Sequence, residues 1–249
     1  MSPYHVEVLG HSGFPLCILH GWGQSMVQTK PLGELLASHS QVYLWDLPGF
    51  GKAPPPEEIW SSKDYASWLL SWMEKSGLEK IDLLGHSFGG KIALSFAAAY
   101  PEKVHRLILI GASGLKRKRS FPNKIKLFSL KMAAKGLKGF DYLSGGNIFQ
   151  SWFVPRFASS DYRQAGPMRK ILVKSVNEDL SNDIAAITTP TLLLWGEADT
   201  ETPLETGVKM HHLIAGSQFY SFPAKGHYLF ADCGAHLCAS YIRPFLGKP

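Results

Sequence analysis

Leu83-Leu84-Gly85-His86-Ser87-Phe88-Gly89-Gly90 sets a serine between glycines placed two residues before and two residues after it. Ile81 to Leu84 is apolar apart from Asp82 and reads as a short buried strand, while Lys91 to Tyr100 reads as a helix stopped by Pro101. A serine on so sharp a strand-to-helix turn is held in a strained backbone conformation with its hydroxyl projecting from the sheet edge. Only small residues fit two positions to either side of it. Gly85 and Gly89 meet that demand. The helix start also aims unpaired backbone N–H groups and a positive dipole end at whatever the serine attacks.

Working outward, Val6 to Gly10 and Leu16-Cys17-Ile18-Leu19 read as the first strands, and the second runs into His20-Gly21-Trp22-Gly23. A helix around Pro31 to Ala37 precedes the strand Gln41 to Trp45, and Asp46-Leu47-Pro48-Gly49-Phe50-Gly51 follows as a tight turn. Ser61-x-x-Asp64 resembles a capping box, and Tyr65, Trp68, Leu69, Trp72 and Met73 then recur at the spacing of an amphipathic helix that ends at Gly77. Leu107 to Ile110, Thr191 to Trp195 and Gln218 to Phe222 are further strands, with helices near Leu204–Leu213 and Ala235–Ile242. Strands alternating with helices imply an α/β fold: a mostly parallel, doubly wound sheet covered on both faces, with ligands at the carboxyl ends of the strands. Between Leu115 and Thr189 the periodicity is helical. That stretch is too long for a connection, so residues 1–114 and 190–249 form the expected core and 115–189 a helical insertion packed over the sheet edge near the serine.

A chain of 249 residues that is 45% hydrophobic and 18% charged has the composition of an ordinary globular protein, not of a disordered or fibrous one. The start, Met1 to Glu7, lacks a basic stretch leading into an apolar core, and no run of about 18 apolar residues occurs, so a cytoplasmic location is expected. Cys17, Cys233 and Cys238 have neither disulfide nor zinc spacing, the ten histidines form no metal-ligand pattern, and neither a metal nor a cofactor is implied. The net charge of +6 is uneven: residues 115–189 hold 14 lysines and arginines against 5 acidic residues, so the excess positive charge lies in the insertion.

A serine hydroxyl is a poor nucleophile until a base removes its proton, and that base needs a third group to orient it. Such partners belong on loops after later strands. Asp199 follows the strand at 191–195 and His227 the strand at 218–222, which makes Ser87, His227 and Asp199 the candidate catalytic residues. Glu197 and Asp232 compete for the acid and His86 and His20 for the base. Glu197 reads better as a surface charge, Asp232 is too close in sequence to His227, His86 points away from its neighbour Ser87, and His20 reads as a satisfied histidine holding its loop. The oxyanion formed when the serine adds needs donors already in place. The backbone N–H groups of Phe88, next after the serine, and of Trp22, at the end of the neighbouring strand, are the candidates.

Taken together, His20-Gly21-Trp22-Gly23, Asp46 to Gly51, Gly85 to Gly90, Gly196-x-x-Asp199-x-x-x-Pro203 and Gly226-His227 resemble the α/β-hydrolase fold superfamily. The order Ser87, Asp199, His227 is that superfamily's order. The resemblance implies Ser87 as nucleophile, His227 as base, Asp199 as its orienter, Trp22 and Phe88 as oxyanion donors that also line the substrate site, and 115–189 as the lid. Lys52 stands where many members carry a small hydroxyl residue. Within the superfamily, the HGWG and DLPGFG pair and the short length resemble the pimeloyl-[acyl-carrier-protein] methyl ester esterases of biotin synthesis, motifs shared with other small esterases and with hydrolases of ring-cleavage products. The implied activity is a serine carboxylesterase acting as a monomer on a small-molecule ester through an acyl-enzyme. Thioester hydrolysis, carbon–carbon bond hydrolysis and a non-catalytic ligand sensor are the alternatives.

Lys116-Arg117-Lys118-Arg119 and the lysines at 124, 126, 131, 135 and 138 give the insertion its charge. Besides a solvated face, they fit docking of an acidic acyl carrier protein, with Arg117 and Arg119 contacting it, or attachment to an anionic membrane surface. No nucleic-acid-binding motif accompanies them, so nucleic acid is not expected as a partner.

Overall fold

The computed structural model describes residues 4–116 and 121–247, with the side chains of 121–128 and 131 outside the described set. Its strands are β1 (His5–Leu9), β2 (Phe14–Leu19), β3 (Ser40–Asp46), β4 (Ile81–His86), β5 (Val104–Ile110), β6 (Thr191–Gly196) and β7 (Gln218–Phe222). They form one sheet in the order β1-β3-β2-β4-β5-β6-β7. Only β1 runs antiparallel, against β3; the other pairings are parallel. The central strands β4 and β6 are buried along their whole length, which is why they carry apolar runs in place of alternation. This is the α/β-hydrolase fold, with the candidate residues 87, 199 and 227 each just past the carboxyl end of a parallel strand.

The helices are α1 (Met26–Leu36), α2 (Ser62–Lys75), α3 (Phe88–Ala99), α4 (Phe121–Ser144), α5 (Val154–Phe157), α6 (Ser160–Gln164), α7 (Arg169–Asn177), α8 (Ser181–Ala185), α9 (Leu204–Leu213) and α10 (Gly234–Leu246). Local chemistry accounts for their ends. Ser61 caps α2 with Asp64 in the reciprocal capping box. Tyr65, Leu69, Trp72 and Met73 are buried, and Trp72 and Trp68 pack edge-on against Trp45 of β3. The first helix starts earlier than the proline suggests: a capping box of Ser25 and Gln28 nucleates α1, and Pro31 sits inside it. Pro244 likewise lies within α10, which runs on to Leu246.

Helix α3 is fastened from the side by polar groups in an otherwise apolar layer. Ser95 donates to Ser62 of α2 at 2.9 Å, the Ser62 N–H donates to Glu178 at 3.1 Å, and the buried Lys91 ammonium donates to the Ser175 carbonyl. Burial lowers the Lys91 pKa, with Glu178 acting against that shift.

The described residues form two compact units, one from 4–116 with 173–247 and one from 121–172. Helices thus dominate residues 121–185 of the interval that the sequence assigns to the insertion, but residues 173–189 cluster with the sheet. The Leu180 N–H donates to the Gly114 carbonyl and Ile184 is fully buried. In the second unit Phe149, Phe153 and Val154 make a small core with Leu130, Ala134 and Leu137 around it. Arg117 and Arg119 lie outside the described residues.

Candidate active site

Ser87 sits between β4 and α3 with φ of 51° and ψ of −110°, a conformation that a residue bearing a Cβ adopts only when its surroundings force it. Backbone hydrogen bonds on both sides of it supply that force. Its N–H donates to the Ile110 carbonyl at the end of β5, and its carbonyl accepts from the N–H and the hydroxyl of Ser113 and from the Lys91 N–H. A Cβ on Gly89 would stand 2.3 Å from the Leu19 carbonyl oxygen, so glycine there is what lets α3 begin against the end of β2. Phe88 opens the helix, so its N–H is among those without an intrahelical acceptor.

Asp199 and His227 are joined by a bond of 2.8 Å between Oδ2 and Nδ1. The bond puts the histidine proton on Nδ1 and leaves Nε2 with a lone pair for accepting a proton. The Asp199 side chain is completely buried, yet its carboxylate is well provided: Oδ1 accepts the Glu201 and Thr202 N–H groups at 2.8 Å each, and Oδ2 also accepts the Thr202 hydroxyl at 2.8 Å. Burial alone would raise its pKa, but the bonds from His227 and Thr202 outweigh burial and hold the carboxyl below the usual range. The pair rests on Gly111, where a Cβ would meet Asp199 Oδ2 at 3.2 Å and His227 Nδ1 at 3.4 Å. Gly111 directly follows Ile110, whose carbonyl holds the Ser87 N–H, so the serine turn and the acid–base pair converge on one strand end.

The rivals separate cleanly. Glu197 accepts the Ser221 hydroxyl and Asp232 is exposed. His20 is fully buried, accepts the Leu47 N–H at Nε2 and donates from Nδ1 to the Gly21 carbonyl, and burial lowers its pKa to about 4. It is a neutral clamp between two loops, as its position predicts.

His86 has a task that its place in the sequence did not reveal. It is buried, and its two ring nitrogens face the Gln24 side-chain oxygen at 3.1 Å and the His227 backbone carbonyl at 3.0 Å. Burial lowers its pKa to about 3, so it stays neutral, and its single N–H donates to one of these two oxygens at a time, between the loop after β2 and the histidine loop. The Trp22 ring in that first loop packs against Phe88 at 5.2 Å and Phe50 at 4.9 Å. The two residues assigned to the oxyanion are therefore neighbours.

Thr202 was missed as well. It holds Asp199 through both its amide and its hydroxyl, and the hydroxyl also lies 3.3 Å from His227 Nδ1. A hydroxyl residue three positions after a loop aspartate is a recognisable turn pattern, and that was the available signal.

The chain shares its family and fold with known proteins. The model of a family described as alpha/beta hydrolase fold matches residues 15–137, and a second, described as TAP-like protein, matches 162–246. The chain is 27% identical over 240 residues to a 2-hydroxy-6-oxo-2,4-heptadienoate hydrolase from Pseudomonas putida, covering 88% of this chain and 84% of that protein. It is 29% identical over 222 residues to a pimeloyl-[acyl-carrier protein] methyl ester esterase from Aeromonas salmonicida, covering 80% of this chain and 82% of that one. Among solved structures, an esterase from Exiguobacterium antarcticum superposes with a TM-score of 0.75 at 25% identity, over 98% of this chain and 96% of that one.

Proposed function

The chain belongs to the α/β-hydrolase fold family, and from that premise we propose that it is a serine carboxylic ester hydrolase working through an acyl-enzyme. The observation that carries this reading is the 2.8 Å Asp199–His227 bond seated on Gly111, beside a serine held at positive φ.

In the proposed cycle His227 Nε2 takes the Ser87 proton as the hydroxyl adds to the ester carbonyl, and buried Asp199 stabilises the imidazolium that results. The negative oxygen of the tetrahedral intermediate is held by the N–H groups of Phe88 and Trp22. His227 returns the proton to the departing alcohol. Water then repeats the sequence on the acyl-enzyme, so acid and alcohol leave and the serine is restored. The acyl group is hydrophobic or carrier-bound, a reading supported by the ring of Trp22, Phe50 and Phe88 beside the serine and by the pimeloyl-[acyl-carrier protein] esterase relative.

A second reading, carbon–carbon bond hydrolysis of a ring-cleavage product, is favoured by the 2-hydroxy-6-oxo-2,4-heptadienoate hydrolase relative. Initial rates on p-nitrophenyl esters of increasing chain length, set beside a vinylogous 1,5-diketone of the ring-cleavage type, separate the two. Ester turnover that exceeds diketone turnover and falls by about 10³-fold or more in Ser87→Ala supports the esterase. Diketone turnover alone replaces it with the second reading, and tight ligand binding with turnover unaffected by Ser87→Ala removes both.

A further inference from the structure

The unit formed by residues 121–172 carries large apolar side chains on its surface where a helical unit of this size would bury them. Tyr142 is 89% exposed and Leu143 85%, with Phe140, Ile148, Trp152 and Phe157 also exposed. One carboxylate ties the end of α4 to the segment that follows. Asp141, near the end of α4, accepts the Ile148 N–H at 2.8 Å and the Phe149 N–H at 2.7 Å. The chain thereby reverses, so that Phe140, Tyr142, Leu143 and Ile148 surround a single turn. Trp152 lies four residues beyond Ile148, one helical turn further along.

Cations frame this turn. The Lys138 ammonium lies 4.5 Å from the centre of the Phe149 ring and the Arg156 guanidinium 5.2 Å from that of Trp152, with Lys135 one turn before Lys138. From 117 to 172 the sequence has 12 lysines and arginines against two aspartates, and Asp141 is one of the two. Its oxygens bond the two amides, and twelve cations against two acids leave the charge of this unit strongly positive.

We propose that this turn is an interfacial anchor that docks on an anionic phospholipid bilayer. Phe140, Tyr142, Leu143 and Trp152 enter the headgroup region, and Lys135, Lys138 and Arg156 meet the lipid phosphates. A side chain as exposed as Tyr142 or Leu143 projects from a convex surface. A bilayer interface accepts projections of that kind, whereas a protein partner such as an acidic carrier needs a surface shaped to pack against them. Among the described residues no helix is long and apolar enough to cross a membrane, so the attachment is peripheral.

Flotation of the full-length protein tests this, using vesicles of phosphatidylcholine with and without phosphatidylglycerol. The protein floats with the anionic vesicles and not with the neutral ones. The pair Tyr142→Ser with Leu143→Ser weakens partitioning about tenfold or more, as does Lys135→Glu with Lys138→Glu. Both double variants keep wild-type turnover of a soluble p-nitrophenyl ester without vesicles, which shows that they fold. A wild-type protein that stays in the soluble fraction overturns the proposal, and so does flotation untouched by either pair. Saturable binding to a soluble acidic acyl carrier protein with no vesicle binding overturns it in favour of that partner.

Discussion

At the scale of single residues the site depends on how a buried carboxylate is kept ionised. Four hydrogen bonds reach Asp199, and Thr202 supplies two of them. Replacing Thr202 with Val deletes the hydroxyl while leaving the amide. We expect kcat to fall about tenfold, as one hydrogen bond to a charged group is worth about 1.5–3 kcal/mol, and Thr202→Ser to recover most of it. Unchanged kcat in Thr202→Val would show that the hydroxyl is idle. Asp199→Asn should cost about 10⁴ in kcat with the fold intact, because the amide holds the imidazole in the wrong tautomer. Steady-state kinetics beside circular dichroism check both outcomes. That Ser87, Asp199 and His227 each stand just past a strand end was legible, since an apolar run and turn residues precede each. The place of His86 between two loops was not, because the His227 carbonyl it faces lies 141 residues away, whereas Thr202 stands three residues from Asp199 in a turn pattern open to reading.

At the scale of elements, α3 must start against the end of β2 for the serine turn to exist. Gly89→Ala places its methyl against the Leu19 carbonyl, and the backbone there has no room to yield. A loss of about 3 kcal/mol in urea unfolding, together with loss of ester turnover, is expected. Ser61→Ala, by contrast, removes only the cap of α2, so stability falls by about 1 kcal/mol and turnover stays at the wild-type level. A cap written as a local Ser-x-x-Asp pattern can be read directly. Where α1 begins was misread because Pro31 looks like a helix start, whereas the capping box six residues earlier outweighs the one N–H that proline lacks.

At the scale of the whole molecule, pH sets the stability through buried groups that pull in opposite directions. His20 and His86 have folded pKa values below their ordinary 6.5, so their stabilising effect is complete above that pH. It is lost as pH falls towards about 4 for His20 and about 3 for His86, because the unfolded chain binds protons that the folded one refuses. Asp82, buried at the other end of β4, has the reverse sign. Burial raises its pKa to about 6 against the pull of Arg106, so it favours folding below its ordinary value and loses that effect as pH rises through about 6. Asp82→Asn should therefore be more stable than the wild type at pH 8, by about 1 kcal/mol or more, with the difference vanishing near pH 4. Urea midpoints measured across that range decide it, and a variant less stable at pH 8 would mean that the Arg106 pair outweighs burial.

The sequence by itself determined the parallel sheet, the strained serine turn and the placing of Asp199 and His227 past strand ends, because those features are written locally: apolar runs, glycines at fixed offsets, caps and strand ends. Tertiary structure alone decided that residues 173–189 pack with the sheet, that His86 faces the backbone carbonyl of His227, and that Tyr142 and Leu143 stand in solvent beside a carboxylate bonded to two amides. Each of these depends on which distant groups a side chain meets after folding. No window of neighbouring residues carries that information, because burial and hydrogen-bond partnership are properties of the packed chain.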